Sequence, residues 1–245
     1  MGRDALLSAA MGAVRVADGA GVSVAVLDLG SGETVSYGDR AFVTASIVKV
    51  DILAALLLGA QDAGRELTGA ERSYAAAMIE RSDNAAASAL WDGIGRAAGL
   101  DAANARFGLT GTTGGDGTLW GLTRTTAVDR LRLLRQVFGE ESELGEDARA
   151  YVRGLMERVV PDQAWGVPAV ADAGTASAVK NGWLPRDATG LWVVHSIGRV
   201  TAGGRACLMA VLSDGNAGKA PGVTLVESAA RAARTALGER PSPAD

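Results

Sequence analysis

The sequence predicts a mixed α/β (α+β) protein: a mainly antiparallel sheet built from both ends of the chain, flanked by helices, with an all-helical block inserted between the two ends. Three observations predict it. Two alternating strand patterns flank a glycine turn near the start of the chain, at residues 22–37. Three more strand-like runs cluster at residues 178–213. The long stretch between them carries mostly helical periodicity. Strands at both ends with helices between assemble most simply into one sheet.

Each element has its own signal. Residues 4–18 place Leu6, Leu7, Ala10, Val14 and Ala17 on one helical face. Val22 to Leu27 alternates as a strand, Gly30-Ser31-Gly32 turns, and Glu33 to Tyr37 returns. From Ser46 to about Ala60 the chain is apolar nearly all round, which implies a central buried helix. Glu71 to Arg81 is a second helix, and Ser82 opens a third that runs from Asn84 to Ala98. Residues 108–118 are rich in Gly and Thr and read as loop. Thr123 to Phe138 and Glu146 to Arg158 are amphipathic helices. Ala178 to Trp183, Leu191 to Arg199 and Arg205 to Ser213 are the late strands, and Pro221 to Leu237 is a closing helix. Short turns between neighbouring strands make the sheet antiparallel. The expected division is an α/β lobe of residues 1–40 with 171–245, and a helical lobe of residues 41–170. Only Pro241 to Asp245 has the composition of a disordered tail.

Composition narrows the chemistry. The 245 residues carry 24 basic and 28 acidic side chains, a net charge of −4. Of the basic residues 21 are Arg and three are Lys: Lys49, Lys180 and Lys219. One His cannot supply a His-rich metal site, and one Cys (Cys207) can form neither an internal disulfide nor a Cys-based zinc cluster. Scattered Arg on a mildly acidic chain is not the basic stripe of a nucleic-acid binder. The longest uncharged apolar run, Ile52 to Ala60, is far short of the roughly 20 residues of a membrane span. No signal-peptide pattern opens the chain, which leaves a cytoplasmic protein or an exported one given without its leader.

His195 is the only histidine, so any Ser-His-Asp triad would need it. It sits in Trp192-Val193-Val194-His195-Ser196-Ile197, a strand pattern, and reads as a sheet residue facing a lobe interface. No Gly-x-Ser-x-Gly elbow surrounds any serine. A buried lysine can replace histidine as base, because burial lowers its pKa. Two Ser-x-x-Lys matches exist. Ser177 and Lys180 enter a strand, where positions i and i+3 face opposite sides. Ser46 and Lys49 start a helix, where i and i+3 share a face. Ser46 would also lie at the positive end of the helix dipole. The pair is therefore either a nucleophile with its base, or an N-cap serine beside a snorkelling lysine.

Ser82-Asp83-Asn84 reads either as an N-cap or as a proton-relay hydroxyl with a substrate-holding amide. Lys180-Asn181-Gly182 places positive charge on a strand beside a glycine that admits a ligand close to the backbone. Asp51 interrupts the apolar surface of the central helix and reads as structural, paired with a backbone group or an Arg. Cys207 falls in a strand and reads as core. Trp183 either walls a cleft or packs in the core.

The order Ser-x-x-Lys, Ser-Asp-Asn, Lys-x-Gly resembles the signature set of penicillin-recognising serine enzymes. The resemblance covers about residues 20–237 and includes Trp120-Gly121-Leu122-Thr123 leading into a helix. It points to the class A β-lactamase-like branch of the superfamily that also holds DD-peptidases, in the form found in high-GC Gram-positive bacteria. It implies a β-lactamase/DD-peptidase-like fold and a cleft between two lobes. Carried over, Ser46 is the acylated nucleophile, Lys49 its general base, Ser82 the proton donor to the leaving nitrogen, and Lys180 the group that steers a substrate carboxylate. Asn84 would hold the substrate's side-chain amide, with Asn181, Gly182 and Trp183 along the substrate. The backbone N–H groups of Ser46 and Trp183 would form the oxyanion hole.

The resemblance also carries departures. Class A enzymes deacylate with a Glu in the loop before the Thr-rich helix. Here Gly108 to Thr123 contains no Glu, and its only acid, Asp116, sits between glycines and reads as a turn residue. A long-lived acyl-enzyme and slow β-lactam turnover follow. Asn181 replaces the hydroxyl residue that normally helps bind a carboxylate. Ser46 and Ser82 are 36 residues apart, a trimmed spacing that should open the cleft. The implied substrate is a β-lactam, a D-alanyl peptide or another acyl compound. A monomer is expected, without metal or cofactor and without nucleic-acid partners. Two alternatives stay open: a non-catalytic binding or sensor homologue, and an efficient β-lactamase with an unusual deacylating base.

Overall fold

The computed structural model describes residues 2–238. The Pro241 to Asp245 stretch lies outside them. Five strands form one antiparallel sheet in the order β2-β1-β7-β6-β5: β1 (Gly21–Asp28), β2 (Thr34–Tyr37), β5 (Ala178–Pro185), β6 (Trp192–Ala202) and β7 (Arg205–Asn216). The two ends of the chain meet where β1 pairs with β7, along the register Gly21↔Asp214 to Asp28↔Cys207. That pairing buries every residue of β1 and most of β7.

Both faces of the sheet are covered. On one side α1 (Arg3–Met11) and α8 (Lys219–Gly238) pack over Val22, Val24, Val26, Met209 and Val211. On the other, Ala25, Leu27, Ile197, Leu208, Ala210 and Leu212 join the core of the inserted helices. The period-2 alternation of β1 sends alternate residues to the two cores. The insert contains α2 (Val48–Asp62), α3 (Gly69–Glu80), α4 (Asn84–Gly93), α5 (Arg96–Arg106), α6 (Ala127–Phe138) and α7 (Glu146–Glu157). Helix α2 is buried from Val48 through Leu58, as its all-round apolar character requires. Helix α6 packs directly against β1, β6 and β7.

Several boundaries differ from the sequence expectation. The first helix ends at Met11 instead of continuing to residue 18. The helix expected from Asn84 to Ala98 is two helices: Gly95 (φ 85°) and Arg96 (φ 58°) turn left-handed, and α5 continues to Arg106. The helix expected from Thr123 begins at Ala127, where Thr126 caps it by accepting from the Asp129 N–H. Two short strands escaped the sequence reading: β3 (Phe42–Val43) pairs with β4 (Arg124–Thr125). They tie the segment before Ser46 to the end of the 108–123 loop.

The interior also holds charge. Asp51 on α2 forms a fully buried ion pair with Arg130 on α6. Arg130 also donates to Thr112 Oγ1, and Thr112 donates to Asp129. Burial pushes the Asp51 carboxyl above its ordinary value even though the Arg130 guanidinium pulls it down. Cys207 is buried in β7, where burial pushes its thiol up to about 11.

Candidate active site

Three segments meet at one edge of the sheet. Ser46 lies in a 3-10 turn (Ala45–Ile47) that feeds α2. Ser82 lies in the three-residue connection between α3 and α4, and Lys180 lies on the edge strand β5. Of the described non-glycine residues with positive φ, two flank this site: Ala45 (φ 46°) and Ser82 (φ 57°). Left-handed backbone costs such residues about 1–2 kcal/mol each, so the surrounding packing must enforce it.

The alternative roles for these serines separate structurally. The cap of α4 is Asp83, whose side chain accepts from the Ala86 N–H at 2.7 Å. That leaves the Ser82 hydroxyl free to face inward. Ser46 caps nothing: helix α2 has no side-chain cap, and Ser46 Oγ has no hydrogen-bond partner among the described residues.

Lys49 is the hub. Its Nζ donates to the Ser82 carbonyl at 2.7 Å, to Ser82 Oγ at 3.1 Å and to Asn84 Oδ1 at 2.7 Å. Burial lowers its pKa to about 7, against the opposing pull of the Asp83 carboxylate. Lys180 Nζ reaches the same Ser82 Oγ at 3.1 Å and the Asn181 carbonyl at 3.0 Å. Its pKa falls well below the ordinary lysine value, first through burial and then through the charge of Lys49. Lys180 therefore joins the Ser82 cluster and makes no bond to Ser177. One hydroxyl bridges two buried amines, an arrangement suited to passing protons.

Gly182 is required for a close approach. A Cβ there would lie 2.8 Å from the backbone nitrogens of both Ser46 and Ile47, so only glycine lets β5 press against the serine turn. Asn181 points the other way. Its amide donates to the carbonyls of Gln163 and Trp165 at 2.8 and 2.9 Å. The side chain is fully buried there, so what this residue offers near the cleft is backbone. Alternation along β5 explains it, since Lys180 and Gly182 take the face toward the serine turn. Trp183 lines the cleft and also packs on Trp165, with Lys219 Nζ 3.7 Å from its ring centroid.

A cleft of about 600 Å³ opens over Ser46, between Asn84 and Trp120 on one side and Trp183 to Ala188 on the other. Trp120 was legible only as part of the motif pattern. Here its ring centroid stands 4.9 Å from Lys49 Nζ, and its indole donates to Ser88 Oγ at 3.1 Å. Asp116 is exposed, and its carbonyl accepts from the Leu119 N–H in a turn. His195 is fully buried, and both of its ring nitrogens are bonded to backbone. Its Nδ1 accepts from the Ser213 N–H and its Nε2 is 2.8 Å from the Val43 carbonyl, which makes Nε2 the protonated nitrogen. Burial lowers its pKa to about 4. Among the described residues no group of three or more His, Cys, Asp or Glu is arranged to hold a metal ion. No helix of the described residues is long and apolar enough to cross a membrane.

A sheet closed from both chain ends, with two serines and two buried lysines gathered at its edge strand, defines the penicillin-recognising serine hydrolase superfamily. The comparisons agree. The model of the beta-lactamase enzyme family matches residues 71–237, and the chain belongs to that family. The matched span includes Ser82 and Lys180 and begins after Ser46. The chain is 30% identical over 173 residues to LppW of Mycobacterium tuberculosis, whose name assigns it provisionally to the lipoproteins. That match covers 68% of this chain and 55% of LppW, so the chain spans about half the length of the curated relatives it matches. Among solved structures, the TLA-1 extended-spectrum β-lactamase superposes with a TM-score of 0.83 at 16% identity, covering 98% of this chain and 100% of that one. PBP-A superposes at 0.81 with 22% identity, over 96% of each chain. A β-lactamase from Sphaerobacter thermophilus gives 0.77 at 20% identity, over 98% of each. These likenesses establish the fold.

Proposed function

We propose that the protein is an active-site-serine hydrolase or acyltransferase that forms an acyl-enzyme at Ser46. The observation that carries this reading is the position of Lys49: a buried amine with a pKa of about 7, bonded to the hydroxyl that Lys180 also reaches. In the proposed step Lys49 accepts the Ser46 Oγ proton as Oγ attacks the substrate carbonyl carbon. The carbonyl electrons move to oxygen, held by the backbone N–H groups of Ser46 and Trp183. The carbon–nitrogen bond then breaks, and Ser82 delivers a proton to the departing nitrogen. Lys180 supplies positive charge for a substrate carboxylate, and Asn84 holds a substrate amide. The substrate class is a β-lactam or a D-alanyl peptide, and β-lactam turnover is slow. We place the cleft at the seam between an α/β lobe (1–40 and 171–245) and a helical lobe (41–170), with α6 tucked beneath the sheet. The provisional lipoprotein name of LppW supports an exported protein.

The test is direct. The folded protein incubated with a fluorescent penicillin gains the mass of one penicillin, and the adduct is lost in Ser46→Ala but kept in Ser177→Ala. Absence of any adduct with β-lactams and activated esters would overturn the acylation mechanism.

A further inference from the structure

Behind the β5–β6 turn lies a second pocket, of about 380 Å³, that adjoins the Ser46 cleft. Arg186 and Ala188 line both. Three arginines line the second pocket: Arg40, Arg124 and Arg186. Its one lining carboxylate, Asp214, is already taken by Arg40 at 3.1 Å. Arg124 makes only a long bond of 3.4 Å to the Ala41 carbonyl. Arg186 has no side-chain partner among the described residues, although Asp187 is its neighbour on the same turn, and its Nη1 is buried without a hydrogen bond. A guanidinium that lines two adjoining pockets and has no protein partner still has donors to offer an anion. In a chain of net charge −4, this is a local excess of positive charge beside the candidate nucleophile.

We propose that Arg186, backed by Arg124, is an anion-binding subsite that takes a carboxylate on the acyl side of the substrate. The planar fork of Arg suits a carboxylate, which it can bind through two parallel bonds. The subsite rests on the acylation reading of the cleft and extends it to a substrate class: acyl donors that carry a second negative charge beyond the one Lys180 serves. It also assigns a role to a turn that the three sequence motifs leave out.

The experiment compares benzylpenicillin with its α-carboxy derivative, which differs by one carboxylate on the side chain. Equilibrium binding to the Ser46→Ala protein, measured by calorimetry, needs no acylation. The expected result is about tenfold tighter binding of the α-carboxy compound, the range of one charge-assisted hydrogen-bonded pair. That ratio falls toward one in Ser46→Ala/Arg186→Ala and partly in Ser46→Ala/Arg124→Ala. It also shrinks in high salt. Equal affinities, a ratio that survives Arg186→Ala, or no measurable binding of either compound would overturn the subsite. Arg186-dependent binding of inorganic phosphate without any preference between the two penicillins would overturn it too, by assigning the pocket to a free anion. The parent protein is read separately by mass. A binding preference without an adduct on Ser46 overturns the acylation reading and leaves the subsite standing.

Discussion

At Lys49 two physical terms oppose each other. Three acceptors surround Nζ, matching the three hydrogens of an ammonium, while burial disfavours its charge. The balance sets the pKa at about 7, where either form is accessible. Only the neutral amine accepts the Ser46 proton, so acylation should rise with pH through about 7 and level off above it. The measurement is the second-order acylation rate against pH. Lys49→Arg tests the same point by chemistry, because a guanidinium keeps the charge and does not deprotonate. It should lower the rate by about 10²–10⁴, the usual span of a lost general base. A flat pH profile, or an active Lys49→Arg, would show that Lys49 serves as a structural cation. Three lysines in a chain that otherwise uses arginine are thus not equivalent: two share Ser82 Oγ, and the third lies on the face of Trp183.

At the scale of elements, the proposed mechanism makes the 108–123 loop the segment on which the lifetime of an acyl-enzyme would depend. It is anchored by Trp91 Nε1 donating to the Gly117 carbonyl and by the Gly114 N–H donating to Asp101. These bonds hold Asp116 out in solvent and bring Trp120 to Lys49. An indole beside the base is a poor seat for an activated water. The penicillin adduct should therefore persist for many minutes, with the same lifetime in Asp116→Ala, as read by time-resolved mass spectrometry. A shortened parent lifetime that lengthens in Asp116→Ala would make Asp116 the missing base. The loop also marks the limit of reading this chain by sequence. The hairpin, the buried α2 and the late strands were legible because their hydrophobic periods are clean. The gathering of Ser46, Ser82 and Lys180 was expected from the resemblance that their three motifs carry, not from periodicity. The break at Gly95 was not, since Ala-rich sequence on both sides continues the helical pattern. The two-residue strands β3 and β4 were not, because only pairing between distant segments defines them. The side-chain bonds of Asn181 were not legible for a related reason: its partners, the carbonyls of Gln163 and Trp165, are visible only once the chain has folded.

Across the whole molecule, stability rests on a sheet whose strands come from both ends of the chain, and His195 sits at its middle. From β6 it bonds the Val43 carbonyl, just before the Ser46 turn, and accepts from β7 at Ser213. Both bonds require the neutral ring in the tautomer that carries its proton on Nε2. Its folded pKa of about 4 lies below the ordinary 6.5 because burial disfavours the imidazolium. Between these values the unfolded chain binds the proton and the folded chain does not. Stability from this group is therefore fully present above pH 6.5 and is lost as the pH falls toward 4, by about 3 kcal/mol in all. Depressed carboxylates such as Asp28 and Asp172 lose their contribution lower, as the pH falls through and below the ordinary carboxylate range. The raised Asp51 works in the opposite direction, because its folded state takes up a proton first. Comparing the parent with His195→Asn cancels these shared terms. Urea unfolding at pH 7, 5.5 and 4.5 should show the variant less stable at pH 7 but with a flatter loss toward acid. Parallel slopes would mean that the imidazole titrates alike in both states, and that the tie between the sheet and the Ser46 turn does not depend on the neutral ring.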